Sequence, residues 1–151
     1  MREIKREIVG GFLISADGKI LLGHNVKGGV FEDAWVVPGG GMEEGETKEQ
    51  TLRREMLEEV GIDVADGRIL QLDGVPTGSS EKTLRDTGER VIVHMNFNDF
   101  VVRFDRPASD IAIHCDDDFE AARWFAPEEL LVLDLGEATR PRLVQLGLLS
   151  N

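Results

Sequence analysis

The 151-residue chain is 41% apolar and 30% charged, the range of one globular domain that can bury a core without metal or disulfide staples. Its formal charge of −12, from 29 acidic against 17 basic residues, excludes a broad face for a nucleic-acid polymer, which needs a Lys/Arg surface. A single cysteine, Cys115, excludes an intrachain disulfide, and no apolar run approaches the roughly 18 residues of a membrane span.

In chain order, Ile8 to Ser15 and Lys19 to Gly23 are apolar segments joined through Asp17-Gly18, a dipeptide suited to positive φ, and they predict an antiparallel hairpin. Residues 24 to 34 are polar and glycine-rich, and Trp35-Val36-Val37 predicts a short strand that stops at Pro38-Gly39-Gly40-Gly41. Residues 45 to 61 carry the clearest helix ends in the chain. Thr47 is the N-cap, Gln50 completes a capping box, and Gly61 is the left-handed stop. Arg68 to Leu72 predicts a strand, residues 74 to 90 a polar loop, and Arg90 to Phe104 the longest strand. Within that strand Val91, Val93, Met95 and Phe97 alternate on one face, whereas Phe100, Val102 and Phe104 have the other parity. A β-bulge or bend is therefore expected near Asn98 and Asp99, with Phe97 read as core ahead of the alternative that it contacts a base or phosphate. Asp116-Asp117-Asp118 is an acidic turn, Ala122 to Phe125 a short strand, Pro127 opens a short helix, and a last helix runs from about Thr139 to Leu146. No repeat or interdomain linker interrupts this order, so a single domain over residues 1–151 is expected, a mixed sheet with helices on both faces.

On the helix, Leu52, Met56 and Val60 make an apolar stripe. Glu55, Glu58 and Glu59, spaced i, i+3, i+4, share a neighbouring arc. Three like charges there cost roughly a few tenths of a kcal/mol per pair, and the C-terminal end of the helix dipole disfavours anions as well. Arg53 and Arg54 offset part of this, and an acidic arc can simply be solvated. The functional alternative is a divalent cation, which would also screen an acidic protein from a phosphate ester.

The wider spacing points to the second reading. Residues Gly40 to Ile62 read G-x5-E-x7-R-E-U-x-E-E-x-G-U, with U apolar, through Gly40, Glu46, Arg54, Glu55, Met56, Glu58, Glu59, Gly61 and Ile62. This resembles the Nudix box at every specified position, a match expected by chance on the order of once in a million chains of this composition. The likeness extends to Trp35 through Gly40 before the box and Arg123 through Leu130 after it, covering roughly residues 7 to 131. It implies an α/β/α sandwich around a mixed sheet and a Mg²⁺- or Mn²⁺-dependent hydrolase. Glu55, Glu58 and Glu59 would be the metal ligands, with the Gly40 carbonyl as a further one, and Glu55 and Glu58 would be catalytic. Glu46 and Arg54 would be supporting residues that fix the loop and orient the glutamates. For the general base the resemblance offers Asp118 first and Glu120 second, against the reading of residues 116 to 118 as a solvated turn. Lys27 and Phe31 are substrate-binding candidates.

The tail from Asp134 to Arg140, with Leu146-Gly147-Leu148-Leu149, is similar to the branch acting on pyrimidine deoxynucleoside triphosphates. That branch releases pyrophosphate and a nucleoside monophosphate. Nucleotide-sugar hydrolysis of the GDP-mannose type, ADP-ribose and other linkages stay open, as does a catalytically silent nucleotide-binding or regulatory domain. His24, His94 and His114 lack zinc spacing and are expected to be surface or hydrogen-bonded strand residues, and Cys115 is expected to be inert. The expected setting is the cytoplasm, since the Met1 to Glu7 start has neither a signal core nor transit-peptide character. No membrane association is expected. A homodimer is plausible from the resemblance, with residues 74 to 90 as a subunit contact, a lid or neither.

Overall fold

The computed structural model describes residues 1–25, 34–115 and 119–150. The hairpin forms through Asp17-Gly18, where Gly18 takes φ 80° and Ser15 N–H donates to the Lys19 carbonyl at 2.9 Å. Its strands are β1 (Arg2–Ile14) and β2 (Ile20–Asn25). β1 starts at Arg2 rather than at Ile8, because its polar first half is held in parallel register against β7 (Arg90–Arg103), from Arg2↔Val91 to Ile14↔Arg103.

β3 (Trp35–Val36) is the short strand that the sequence suggests, and it pairs with β2. The expected stop at Gly39 to Gly41 is instead a strand, β4 (Gly39–Gly41), antiparallel to Ile8, Val9 and Gly10 of β1. Only glycine allows that approach at position 39, where a Cβ would lie 2.3 Å from the Val9 carbonyl oxygen. Residues 74 to 90 are likewise more ordered than a loop. They contain β6 (Thr77–Thr83), antiparallel to β7 and polar because it is an edge strand, with Glu81 and Lys82 on it.

No bulge occurs at Asn98 and Asp99, since the register with β1 runs unbroken through Val9↔Asn98 and Gly10↔Asp99. The partner on the other side changes instead. β6 covers Arg90 to Asn96, and β5 (Arg68–Gln71) covers Phe100 to Arg103. The parity change reflects burial: Phe100 and Val102 enter one core while Val101 enters the opposite one, so the strand is covered on both faces past Asp99.

The two cores lie on opposite faces of the sheet. On one, α1 (Lys48–Val60) buries Leu52, Met56 and Val60 against Val9, Leu13, Leu21, Phe100 and Val102. Each such side chain contributes about 1.5–3 kcal/mol of burial. On the other, Phe12, Ile14, Ile20, Leu22 and Val101 meet Phe125 of β8 (Phe119–Phe125), Leu130 of the 3-10 turn Pro127–Val132, and Leu143 of α2 (Arg140–Gln145). The sheet runs β3-β2-β1-β7-β5, with β4 on β1, β6 on β7 and β8 on β2. This is the expected α/β/α sandwich around a mixed sheet. Among the described residues no helix is long and apolar enough to cross a membrane.

Candidate active site

The site is built where the glycine strand β4 crosses the end of α1. Both ends of the helix form as its sequence dictates: Gln50 N–H donates to Thr47 Oγ1 at 3.2 Å, Thr47 N–H to Gln50 Oε1 at 2.8 Å, and Gly61 adopts φ 69°. Along β4, Gly11 N–H bonds Pro38 O and Met42 N–H bonds Glu7 O. Antiparallel ladders alternate bonded and non-bonded pairs, so Gly40 faces β1 while the polar groups of Gly39 and Gly41 turn outward. Those outward groups are the ones α1 uses. Gly39 N–H donates to Glu59 Oε1 at 3.0 Å, and the Gly41 carbonyl accepts from Arg54 Nη2 at 3.1 Å.

Arg54 ties the site together. Its Nε donates to Glu46 Oε2 at 2.7 Å, Nη2 to Glu46 Oε1 at 2.9 Å, and Nη1 to Glu55 Oε1 at 2.9 Å and Glu58 Oε2 at 3.4 Å. Glu46 also accepts from Glu43 N–H and the Thr51 hydroxyl. The Arg54 guanidinium, followed by the Glu43 amide, holds the Glu46 carboxyl down at about 2, and Arg54 is pushed above the ordinary arginine range chiefly by Glu46. Because the folded Glu46 titrates below its ordinary 4.5, its stabilising contribution is complete above that pH and is lost as pH falls towards about 2. Glu46→Gln is expected to flatten the acid limb of a Tm-against-pH profile across that window.

The sequence expectations fall into three groups. Arg54 links Glu46, Glu55 and Glu58, Gly40 lies beside Glu55, and Glu59 accepts from the Gly39 amide. Glu55 lies against Gly40 so closely that a Cβ there would sit 2.3 Å from Glu55 Oε1. Asp118, Lys27 and Phe31 lie outside the described residues, and Glu120 is in β8 with its side chain outside them too. Of the histidines, His94 bridges Glu3 and Ser79, His24 packs on Trp35, and His114 lies against Gly61 with its backbone N–H on the Val60 carbonyl, while Cys115 is an exposed free thiol.

Among the described residues no three acidic, His or Cys side chains surround a common point. Glu55 and Glu58 turn to the Arg54 guanidinium and Glu59 to the Gly39 amide. The donor chemistry nevertheless suits a hard divalent cation, with carboxylate oxygens from one helical turn and a glycine that leaves Glu55 its room. Arg54 stands as their countercharge.

Two hollows lie on the other side of β4. The first, about 170 Å³, is lined by Ile8, Phe12, Val37, Phe97, Asp99 and Thr139, with Gly39 in its wall. The second, about 450 Å³, meets the first at Ile8, includes Gly40 and Gly41, and carries Arg6, Lys82 and Arg85. Phe97, expected in the core, is half-buried and lines the first hollow. Sequence reasoning passed over Asp99, Thr139 and the three cations. A polar Asn98-Asp99 pair inside an apolar strand was the available signal.

Comparison with known proteins agrees with this geometry. The NUDIX domain model matches residues 4–146. The nucleoside triphosphatase NudI of Salmonella heidelberg (strain SL476) is 36% identical over 142 residues, spanning 91% of this chain and 94% of the relative, and that of Salmonella agona (strain SL483) is 35% identical over the same spans. Among solved structures, the E. coli dihydroneopterin triphosphate pyrophosphohydrolase superposes with TM-score 0.70 at 20% identity, covering 92% of each chain. The Nudix hydrolase RenU of M. smegmatis superposes at 0.65 with 18% identity, covering 95% of this chain and 87% of that one. The chain belongs to the Nudix family and is a pyrophosphohydrolase of that family. Nudix hydrolases generally use a divalent metal.

Proposed function

We propose that this chain, as a single domain, hydrolyses a (deoxy)nucleoside triphosphate, with a pyrimidine as the preferred base, to the nucleoside monophosphate and pyrophosphate. The observation that carries the reading is the arrangement across β4: an apolar hollow with an aromatic wall and a cationic hollow on one side, and the α1 carboxylates on the other. The base and sugar occupy the first hollow, and the phosphates run past Gly39 to Gly41 towards the helix. Arg6, Lys82 and Arg85 are the cations an anionic tail would meet in a chain of net charge −12. Arg6 lies directly over Gly41, where a Cβ would be 2.6 Å from its Nη2. The description of the Salmonella relatives as nucleoside triphosphatases supports the same substrate class.

Glu55, Glu58 and Glu59 would hold Mg²⁺ or Mn²⁺, whereas the Gly40 carbonyl, expected from the sequence as a further ligand, is turned into the β1 ladder, where Val9 and Gly40 form the bonded pair. When bound, the metal supplies charge neutralisation of the phosphates and a lowered pKa for the attacking water. The chain's residues do the rest. Arg54 and Glu46 orient Glu55, the β4 glycines let the phosphates approach the helix, and Asp118 accepts the water's proton. Water adds to phosphorus, the phosphoanhydride P–O bond breaks, and its electron pair leaves on pyrophosphate. Lys27 and Phe31 complete the substrate contacts, and the setting is cytoplasmic. A homodimer is compatible with the polar edge strand β6.

Incubation with a nucleotide panel, with and without Mg²⁺, tests the reading. Metal-dependent release of pyrophosphate from a nucleoside triphosphate, with ¹⁸O from labelled water found on phosphorus, is expected. Release of free sugar from a nucleotide sugar, or no turnover of any triphosphate, would overturn it.

A further inference from the structure

Resting on that placement of the base, we propose that Asp99 is the specificity-determining residue of the apolar hollow. Its Oδ1 is held out by Arg142 to accept a hydrogen bond from an N–H on the Watson–Crick edge of the nucleobase, with the Thr139 hydroxyl as the second polar contact.

The placement begins with cost. Asp99 and Arg142 are 5% and 3% exposed, and a carboxylate so enclosed is retained only if its lone pairs are used. Arg142 Nε donates to Oδ2 at 2.9 Å, while every hydrogen bond to the side chain from the described residues ends on that one oxygen. Oδ1 has none. Nor is it sealed in: among the described residues Ser80 Oγ is the sole fully enclosed side-chain polar atom without a partner, so Oδ1 keeps an opening onto the hollow that Asp99 lines. Glycine at position 10 preserves that opening, since a Cβ there would lie 2.7 Å from Oδ1.

Arg142 is committed through all three of its nitrogens. Nη1 donates to the Asp73 carbonyl at 2.6 Å and Gln145 Oε1 at 2.9 Å, and Nη2 donates to the Gly74 carbonyl at 2.8 Å. The guanidinium is therefore a fixed strut, and Asp99 is aimed rather than free to turn. Burial pushes the Asp99 carboxyl above the ordinary range, with Arg142 opposing but not cancelling it. A donor arriving at Oδ1 would supply what the fold leaves out. Thr139, 3% exposed, offers a second group: its hydroxyl caps nothing and lines the same hollow.

The remaining walls, Ile8, Phe12, Val36, Val37 and Phe97, contact a base by area alone and cannot tell one edge from another. A site that hydrogen-bonds a substrate N–H discriminates strongly against an analogue lacking it. Asp accepts only, whereas Asn in the same place keeps an oxygen for Arg142 and turns a donor into the hollow.

The test compares dTTP and dUTP with their N3-methyl analogues, and dCTP with its N4,N4-dimethyl analogue, by kcat/KM and by equilibrium binding in the absence of turnover. In the unmodified protein, methylation is expected to cost about 10²-fold or more. D99N is expected to lose about 10–100-fold on the unmethylated substrates and to shrink the methylation penalty to a few-fold. Unchanged discrimination in folded D99N would overturn the proposal, as would insensitivity to base methylation combined with sensitivity to removing a sugar hydroxyl. If triphosphates turn over without any dependence on the base N–H, this inference fails and the proposed function stands. Donor-dependent binding without turnover is the reverse case. The analogue series on the unmodified protein decides the matter should D99N not fold.

Discussion

Glu58→Gln is expected to lower turnover by several orders of magnitude while leaving the fold intact. The side chain is 56% exposed and meets only the outer nitrogen of Arg54, at 3.4 Å. Its removal therefore falls among surface changes worth about 0.5 kcal/mol or less in stability. Its chemical loss is of another order. In the proposed role of Glu58 as a metal ligand, the amide keeps the shape but surrenders the negative charge offered to a divalent cation, and the charge stabilisation and water activation tied to that cation would go with it. Asp118→Asn is expected to cost less. Initial rates with saturating Mg²⁺, alongside thermal melts, check the result, and near-normal turnover in Glu58→Gln would remove the basis of the mechanism.

Alanine substitutions at the adjacent glycines of β4 should separate function from folding. At Gly40 the new methyl meets the end of the Glu55 side chain, at 2.3 Å from Oε1. A carboxylate tip can swing away at small cost, but not while staying where the site needs it. Gly40→Ala is thus expected to lose about 10–100-fold in activity or metal affinity, the usual penalty when the support of a metal ligand shifts, with Tm nearly unchanged. At Gly39 the methyl meets main chain, 2.3 Å from the Val9 carbonyl oxygen and 2.9 Å from the Gly10 Cα. Backbone cannot step aside, so β4 must leave β1. Gly39→Ala is expected to cost about 1–3 kcal/mol or more, as overpacking does, seen as a lowered denaturation midpoint. Equal losses of stability at both positions would contradict this account.

What the sequence made readable was whatever is encoded locally. Thr47, Gln50 and Gly61 gave the limits of α1 because capping depends on neighbours three or four residues away. Asp17-Gly18 gave the first hairpin for the same reason. The first half of β1, the β4 glycines and β6 were missed because their strand state is imposed by partners distant in the chain. TGSSEKT and Arg2 to Glu7 carry no alternation of their own and extend only because β7 lies alongside. The Nudix-box spacing pointed to Glu46, Arg54 and the α1 glutamates as a group, since most of that constellation spans one helix and its entry loop. Asp99 and Arg142, 43 positions apart, become a pair only when β7 and α2 come together. The interrupted pattern at Asn98 and Asp99 was visible, but its cause is burial on both faces and a change of neighbour.

The pairing of β1 with β7 also constrains how the chain reaches this state. The contact between Glu7 and Asn96 joins residues 89 positions apart, and the thirteen-residue β1 occupies the middle of the sheet. Closing so long a loop costs entropy before any contact offsets it, which slows folding in proteins dominated by distant pairings. At about 5–20 residues per second of synthesis, β1 waits several seconds on the ribosome for its parallel neighbour to be made. Nascent chains arrested before residue 90 should accordingly keep an unsatisfied strand, vulnerable to proteolysis and to joining with its own kind.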